Sequence, residues 1–180
     1  MNQQEYESVI CRFIKGTPSA LYDIGVGPKT EWQTLSGKYP DMQVFGCEPH
    51  PVQHERLLSA GFPGPLAKVA IGETEGVATL HVPTHDLKCC SLLPVPYSNA
   101  MCEVEVCTLD QFDMNMGEPD RILLWIDIEG SELSALRSGW RLLASGRIRW
   151  INLEERRDGH CPAAGWCDPS WTAPLLAFEA

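Results

Sequence analysis

Nowhere in its 180 residues does the chain carry an apolar run of the length a bilayer crossing requires, and nowhere does it gather lysines and arginines into a cluster. The first absence argues against a helical membrane protein. The second, with a formal net charge of -10 and a pI near 4.9, argues against nucleic acid as the main partner, because little is present to neutralise phosphates. Arg147, Arg149, Arg156 and Arg157 come nearest to a basic set, and solvation or pairing with Glu154, Glu155 and Asp158 accounts for them. The opening stretch, Met1 to Glu7, is polar and acidic without an apolar segment, which predicts no secretory leader and a cytoplasmic chain with reduced thiols. Cysteine itself is not scarce, at eight residues, but no C-x-x-C spacing occurs. Cys89-Cys90, Cys102 with Cys107, and Cys161 with Cys167 therefore read as buried or incidental thiols rather than a zinc site, and the tail pair is the one that could oxidise. Internal repeats and low-complexity blocks are also missing.

What is present is enough apolar residue, 44%, for one core. We read residues 1–180 as a single domain, with its core at about 20–155 and an irregular tail from 156. Strand-like and helix-like runs alternate, the order of an α/β fold with a mostly parallel sheet flanked by helices. A short leading helix closes over Val9 to Ile14. Strands are expected at Leu21–Ile24, Val44–Cys47, Ala67–Ile71, Ile122–Ile128 and Ile148–Leu153. The fourth is the most continuous apolar run and should be central, buried on both faces. Weak helix signal spans Glu31 to Ser36, and Pro49-His50-Pro51 opens a helix reaching Ala60, ended by Gly61 to Pro65. After the turn Gly72 to Gly76, Val77–Val82 alternates as an added antiparallel strand, and Cys102–Cys107 as a half-exposed one. His85 to Ala100 reads as loop, and Thr108 as a helix N-cap. Ser131–Ser138 and Trp140–Ala144 form a helix whose Leu133, Leu136, Trp140 and Leu143, at helical spacing, are expected in the core. Beyond Arg157 only Leu175 to Phe178 suggests an element.

Two strand ends carry the strongest functional signal. The run Asp23-Ile24-Gly25-Val26-Gly27 is an apolar strand turning through glycines, which permit a sharp turn and close backbone approach to a ligand. The neighbouring strand ends in Glu48, a carboxylate able to accept hydrogen bonds from both hydroxyls of a ribose. A dinucleotide fingerprint wants a third glycine where Thr30 stands, which disfavours a nicotinamide dehydrogenase. Asp23 would repel a pyrophosphate and suits a cofactor bearing positive charge, such as S-adenosylmethionine. The fourth strand ends in Asp127-Ile128-Glu129-Gly130-Ser131-Glu132, three carboxylates at the sheet's carboxyl edge. If the strand runs through Glu129, then Asp127 and Glu129 share a face, where they could coordinate a divalent metal, take a substrate proton, or meet the cofactor's amino group. Glu132 suits the first turn of a helix. Glu154 and Glu155 could line the same cleft, and His50, His81 and His85 rank behind Asp127 as bases.

Asp23-Ile24-Gly25-Val26-Gly27, Phe45 to Pro51, Val69-Ala70-Ile71-Gly72 with Gly76, Cys90-Ser91-Leu92, Val106 to Asp110 and Ile126 to Glu132, in this order, resemble the successive motifs of the FkbM family of methyltransferases over roughly residues 20 to 155. The resemblance implies a class I, Rossmann-like, S-adenosylmethionine-dependent fold that methylates hydroxyls of sugars, polyketides or related small molecules by direct displacement. It implies that Asp23, Gly25, Gly27 and Glu48 bind the cofactor, with Pro49 and Ile71 in the adjoining motifs, and that Asp127 and Glu129 are catalytic. The chain departs from the family where many members have Asn at Gly27 and glycine at Lys29. It also leaves few residues for the antiparallel pair that normally follows strand five, so the tail, a partner chain in a homo-oligomer, or nothing covers that edge. That shortening keeps open a non-catalytic S-adenosylmethionine-binding protein.

Overall fold

The computed structural model describes residues 12–28, 31–83, 87–95, 98–153 and 176–177. In chain order the elements are β1 (Ala20–Ile24), α1 (Glu31–Lys38), β2 (Gln43–Cys47), α2 (Pro51–Ser59), β3 (Leu66–Ala67), β4 (Ala70–Ile71), β5 (Gly76–Pro83), a 3₁₀ turn (Leu87–Cys89), β6 (Ser98–Cys107), α3 (Leu109–Asn115), β7 (Ile122–Ile126), α4 (Glu132–Ser138), α5 (Trp140–Ala144), β8 (Ile148–Leu153) and β9 (Leu176–Ala177). The main sheet runs β3-β2-β1-β7-β8-β9, parallel except for β9, and a second sheet runs β4-β6-β5. This is the expected α/β sheet flanked by helices.

Period-2 alternation in the two central strands sends side chains to two cores. Ala20, Tyr22 and Ile24 of β1 with Ile122, Leu124 and Ile126 of β7 meet Leu109 and Phe112 of α3, Ala135 of α4 and Leu142 of α5. Leu21, Leu123 and Trp125 face the other way, onto Trp32 and Leu35 of α1 and Leu57 of α2. Every residue of β1 and β7 is buried, so β7 is central and covered on both faces as its composition predicts.

Four expectations need correction. The apolar run Ala67–Ile71 is not one strand: Leu66–Ala67 pairs with β2, and Ala70–Ile71 pairs with β6 in the second sheet. The chain thus changes sheets across Lys68 and Val69. The expected loop up to Ala100 holds the 3₁₀ turn and the start of β6, which pairs with β5 as far as Ser98. β7 stops at Ile126, because Asp127 leaves the ladder and Glu129 and Gly130 take φ of 56° and 103°. Leu133, Trp140 and Leu143 are exposed at 59%, 65% and 40%, and the helical face that enters the core carries Glu132, Ala135, Ser138 and Leu142.

Arg147 is not solvated beside the acids of residues 154–158. Its guanidinium forks onto Asp113 and donates to the Pro119 carbonyl, while the Tyr22 hydroxyl donates to Asp113 at 2.7 Å. Two tail residues reach the sheet, pairing antiparallel with Trp150 and Ile151. The rest of the leading helix, Lys29, Thr30, His85, Glu154, Glu155, Arg156, Arg157, Cys161 and Cys167 lie outside the described residues. No described helix is long and apolar enough to cross a membrane.

Candidate functional site

At the carboxyl ends of β1, β2 and β7 a cleft of about 510 Å³, its mouth included, is lined by Gly25, Gly27, Glu48, Pro49, Ile71 and Asp127 among others. This is where parallel α/β sheets bind ligands, since the strands end there and the connections diverge. Of the sequence-predicted residues, Asp23 and Glu129 are not part of the lining. Asp23 is buried one position inside β1, opposite Gly46 and Trp125. Glu129 sits in the turn after β7, and because that strand ends before it, the premise that Asp127 and Glu129 share a strand face does not hold.

The glycines have distinct reasons. A Cβ on Gly25 would lie 2.2 Å from the Asp127 carbonyl oxygen, and φ there is +83°. The β1 turn therefore packs directly on the β7 turn, bringing two strand ends to one cleft. Around Gly27, at φ +56°, a Cβ would meet nothing closer than 3.9 Å, so the space beside it is open. Glu48 organises this turn: one carboxylate oxygen accepts the Gly27 N–H at 2.8 Å and the other the His50 N–H at 2.8 Å. Each oxygen keeps a further lone pair. Burial raises the carboxyl's pKa above the ordinary glutamate value, with the His50 and Gly27 N–H bonds pulling the other way.

The histidines have other duties or places. His50 caps α2, its ring nitrogen accepting the Gln53 N–H at 3.4 Å, and burial lowers its pKa, so it is neutral near pH 7. His81 lies on β5, where its backbone pairs with Ser91. Glu132 does not join a cluster of acids. One oxygen of its carboxylate accepts the N–H groups of Ile128, at 3.2 Å, and Gly130, at 3.0 Å, closing the turn that carries Asp127. Asp127 itself is fixed by its N–H, which donates to the Ile24 carbonyl at 2.9 Å. Among the described residues no group of three His, Cys, Asp or Glu side chains is arranged to hold a metal ion.

Residues that sequence reasoning did not assign to the site also line it, among them Cys47, Leu80, Leu87, Cys90, Leu92 and Ser131. Ser131 begins α4 without a side-chain cap bond. Leu80 carried a signal, the alternation of β5, whereas Leu87 to Leu92 fell in what reads as loop. Burial pushes the Cys47 thiol well up, so it is no thiolate near neutral pH.

Among the described residues the lining holds two carboxylates, Glu48 and Asp127, and no lysine or arginine. Such a donor set accepts a nucleoside bearing positive charge and opposes a polyphosphate. The residues present therefore fit S-adenosylmethionine.

Comparison with known proteins agrees with this geometry. No curated protein matches the chain. Among solved structures it is similar to the crystal structure of the methyltransferase FkbM from Methylobacillus flagellatus KT, at 18% identity and a TM-score of 0.52 over 78% of this chain and 34% of that one. At that identity the likeness is one of fold, and the chain spans about a third of that protein's length. Residues 33–160 match the methyltransferase FkbM domain, a stretch that takes in Glu48, the 87–95 segment and the turn after β7. The chain belongs to the FkbM methyltransferase family.

Proposed function

We propose that the chain is an S-adenosylmethionine-dependent methyltransferase acting on a hydroxyl of a small molecule or sugar. The observation that supports this most is Glu48, a buried carboxylate tied to the glycine turn in a cleft whose described lining carries no basic side chain. S-adenosylmethionine supplies, when bound, a methyl group on a positively charged sulfur. Glu48 would hold the ribose hydroxyls through the lone pairs its backbone bonds leave over. Ile71, Leu80 and Leu92 offer the apolar wall against which a base can exclude water. Asp127 would orient the acceptor hydroxyl and take its proton on a carboxylate oxygen, with Ser131 close by as a further hydrogen-bonding group. The net charge of -10 favours a neutral small acceptor over nucleic acid.

Incubation with methyl-labelled S-adenosylmethionine and a panel of polyols, sugars and hydroxylated polyketides tests this. Labelled ether product is expected, with Asp127→Asn lowering kcat by about 10²-fold or more while cofactor affinity is largely kept. Cofactor binding without transfer to any acceptor would favour the non-catalytic reading.

A further inference from the structure

The motif Cys90-Ser91-Leu92 has no task in the reading above, yet Ser91 is among the most buried polar residues, at 1% exposure. Its hydroxyl donates to the Glu129 carbonyl at 2.8 Å and accepts the Leu93 N–H at 3.0 Å. Its backbone exchanges both hydrogen bonds with His81 of β5, at 2.8 and 3.1 Å. One residue thus joins the second sheet, the segment 87–95 and the turn after β7. Leu87, Cys90 and Leu92 of that segment line the cleft, and so does Asp127, in the same turn as Glu129.

The turn needs holding. Glu129 adopts a left-handed φ of 56°, which a residue with a side chain avoids unless its surroundings impose it. Glu132 grips the turn from within its own helix, and Gly25 packs on it from β1. Ser91 supplies the contact from the 87–95 segment. We propose that Ser91 is a positioning residue, whose hydroxyl clamps the 87–95 wall onto the Asp127–Gly130 turn and so sets the width of the cleft. The clamp bears on catalysis through the cofactor reading above, on which its own geometry does not depend.

Cys90, partly exposed and next to Ser91, reports on the 87–95 segment, and Cys102, partly exposed on β6, reports on the second sheet against which that segment packs. Iodoacetamide labelling followed by peptide mass spectrometry reads both thiols in one sample. With Ser91→Ala, labelling at Cys90 rises about tenfold, the loss of one buried hydrogen-bond pair, while Cys102 stays within about twofold. Ser91→Thr, which keeps the hydroxyl, labels like the parent. An unchanged Cys90 rate, or equal rises at Cys90 and Cys102, overturns the clamp. In the same variants the affinity for S-adenosylhomocysteine falls about tenfold with Ala and returns with Thr. Faster Cys90 labelling with unaltered affinity overturns the control of cleft width. If the parent protein binds no S-adenosylhomocysteine, the cofactor reading fails while the labelling still decides the clamp.

Discussion

Gly25 and Gly27 stand two residues apart and answer to different constraints. Gly25→Ala places a methyl inside the contact distance of the Asp127 carbonyl at a positive φ, and should cost about 3 kcal/mol or more of unfolding free energy. Gly27→Ala meets open space and pays only the left-handed backbone penalty of about 1 kcal/mol, while removing room that the cofactor needs. Chemical denaturation and cofactor titration of both variants should therefore separate, the first losing stability and the second affinity. Glu48 adds a pH signature. Its pKa is raised in the folded state, so the folded chain holds this proton more tightly than the unfolded one. The stability it contributes is greatest below the ordinary glutamate value and falls as pH rises through the raised one. Cofactor affinity runs the opposite way, because only the carboxylate can accept from two hydroxyls. It should drop as pH falls through that raised value, and Glu48→Gln should bind weakly with no such dependence when followed by calorimetry. At this scale the sequence was readable where chemistry is local: a glycine turn and a strand-end acid announce themselves. The motif Cys90-Ser91-Leu92 could be recognised, but the task of Ser91 could not, since its partner Glu129 lies 38 positions on and only the fold brings them together.

Among the elements, α4 and α5 are where pattern and packing part. Leu133, Leu136, Trp140 and Leu143 keep helical spacing, yet three of them face outward, and the core face uses Ala135, Ser138 and Leu142 instead. The chain breaks at Gly139 between two short helices, so a single continuous helical stripe does not describe both. Leu142→Ala should cost about 2 to 5 kcal/mol and Trp140→Ala less than about 0.5 kcal/mol in thermal unfolding. The end of β7 was misjudged for a related reason: Ile128 continues the apolar run in sequence, but Gly25 packing on Asp127 and the Glu132 carboxylate turn the backbone away one residue past Ile126. The Asp113 carboxylate on α3 links β1 and the start of β8 through Tyr22 and Arg147. Asp113→Ala leaves a half-buried guanidinium without its anion and should destabilise by about 3 kcal/mol, whereas Tyr22→Phe costs nearer 1 kcal/mol.

Across the whole molecule, strand order follows from burial. The mostly apolar, wholly buried runs take the centre of the sheet, and the alternating run Gly76–Pro83 pairs antiparallel with the glutamate-bearing run Ser98–Cys107 in the second sheet. What composition could not convey is that the short stretch Ala67–Ile71 would be divided between two sheets, because a two-residue pairing leaves no periodicity to read. That division matters for function: β4 carries Ile71 to the cleft while β5 and the 87–95 segment close over it, so the second sheet supplies much of one wall. The central claim is that the cleft at the ends of β1, β2 and β7 takes a positively charged nucleoside cofactor. Calorimetric titration of the intact chain with S-adenosylmethionine, with NAD as control and Glu48→Ala alongside, tests it most directly. Micromolar binding of S-adenosylmethionine, weakened by about tenfold or more in the variant and absent for NAD, is the predicted result. A folded protein that binds NAD, or that binds S-adenosylmethionine equally well without Glu48, would contradict it.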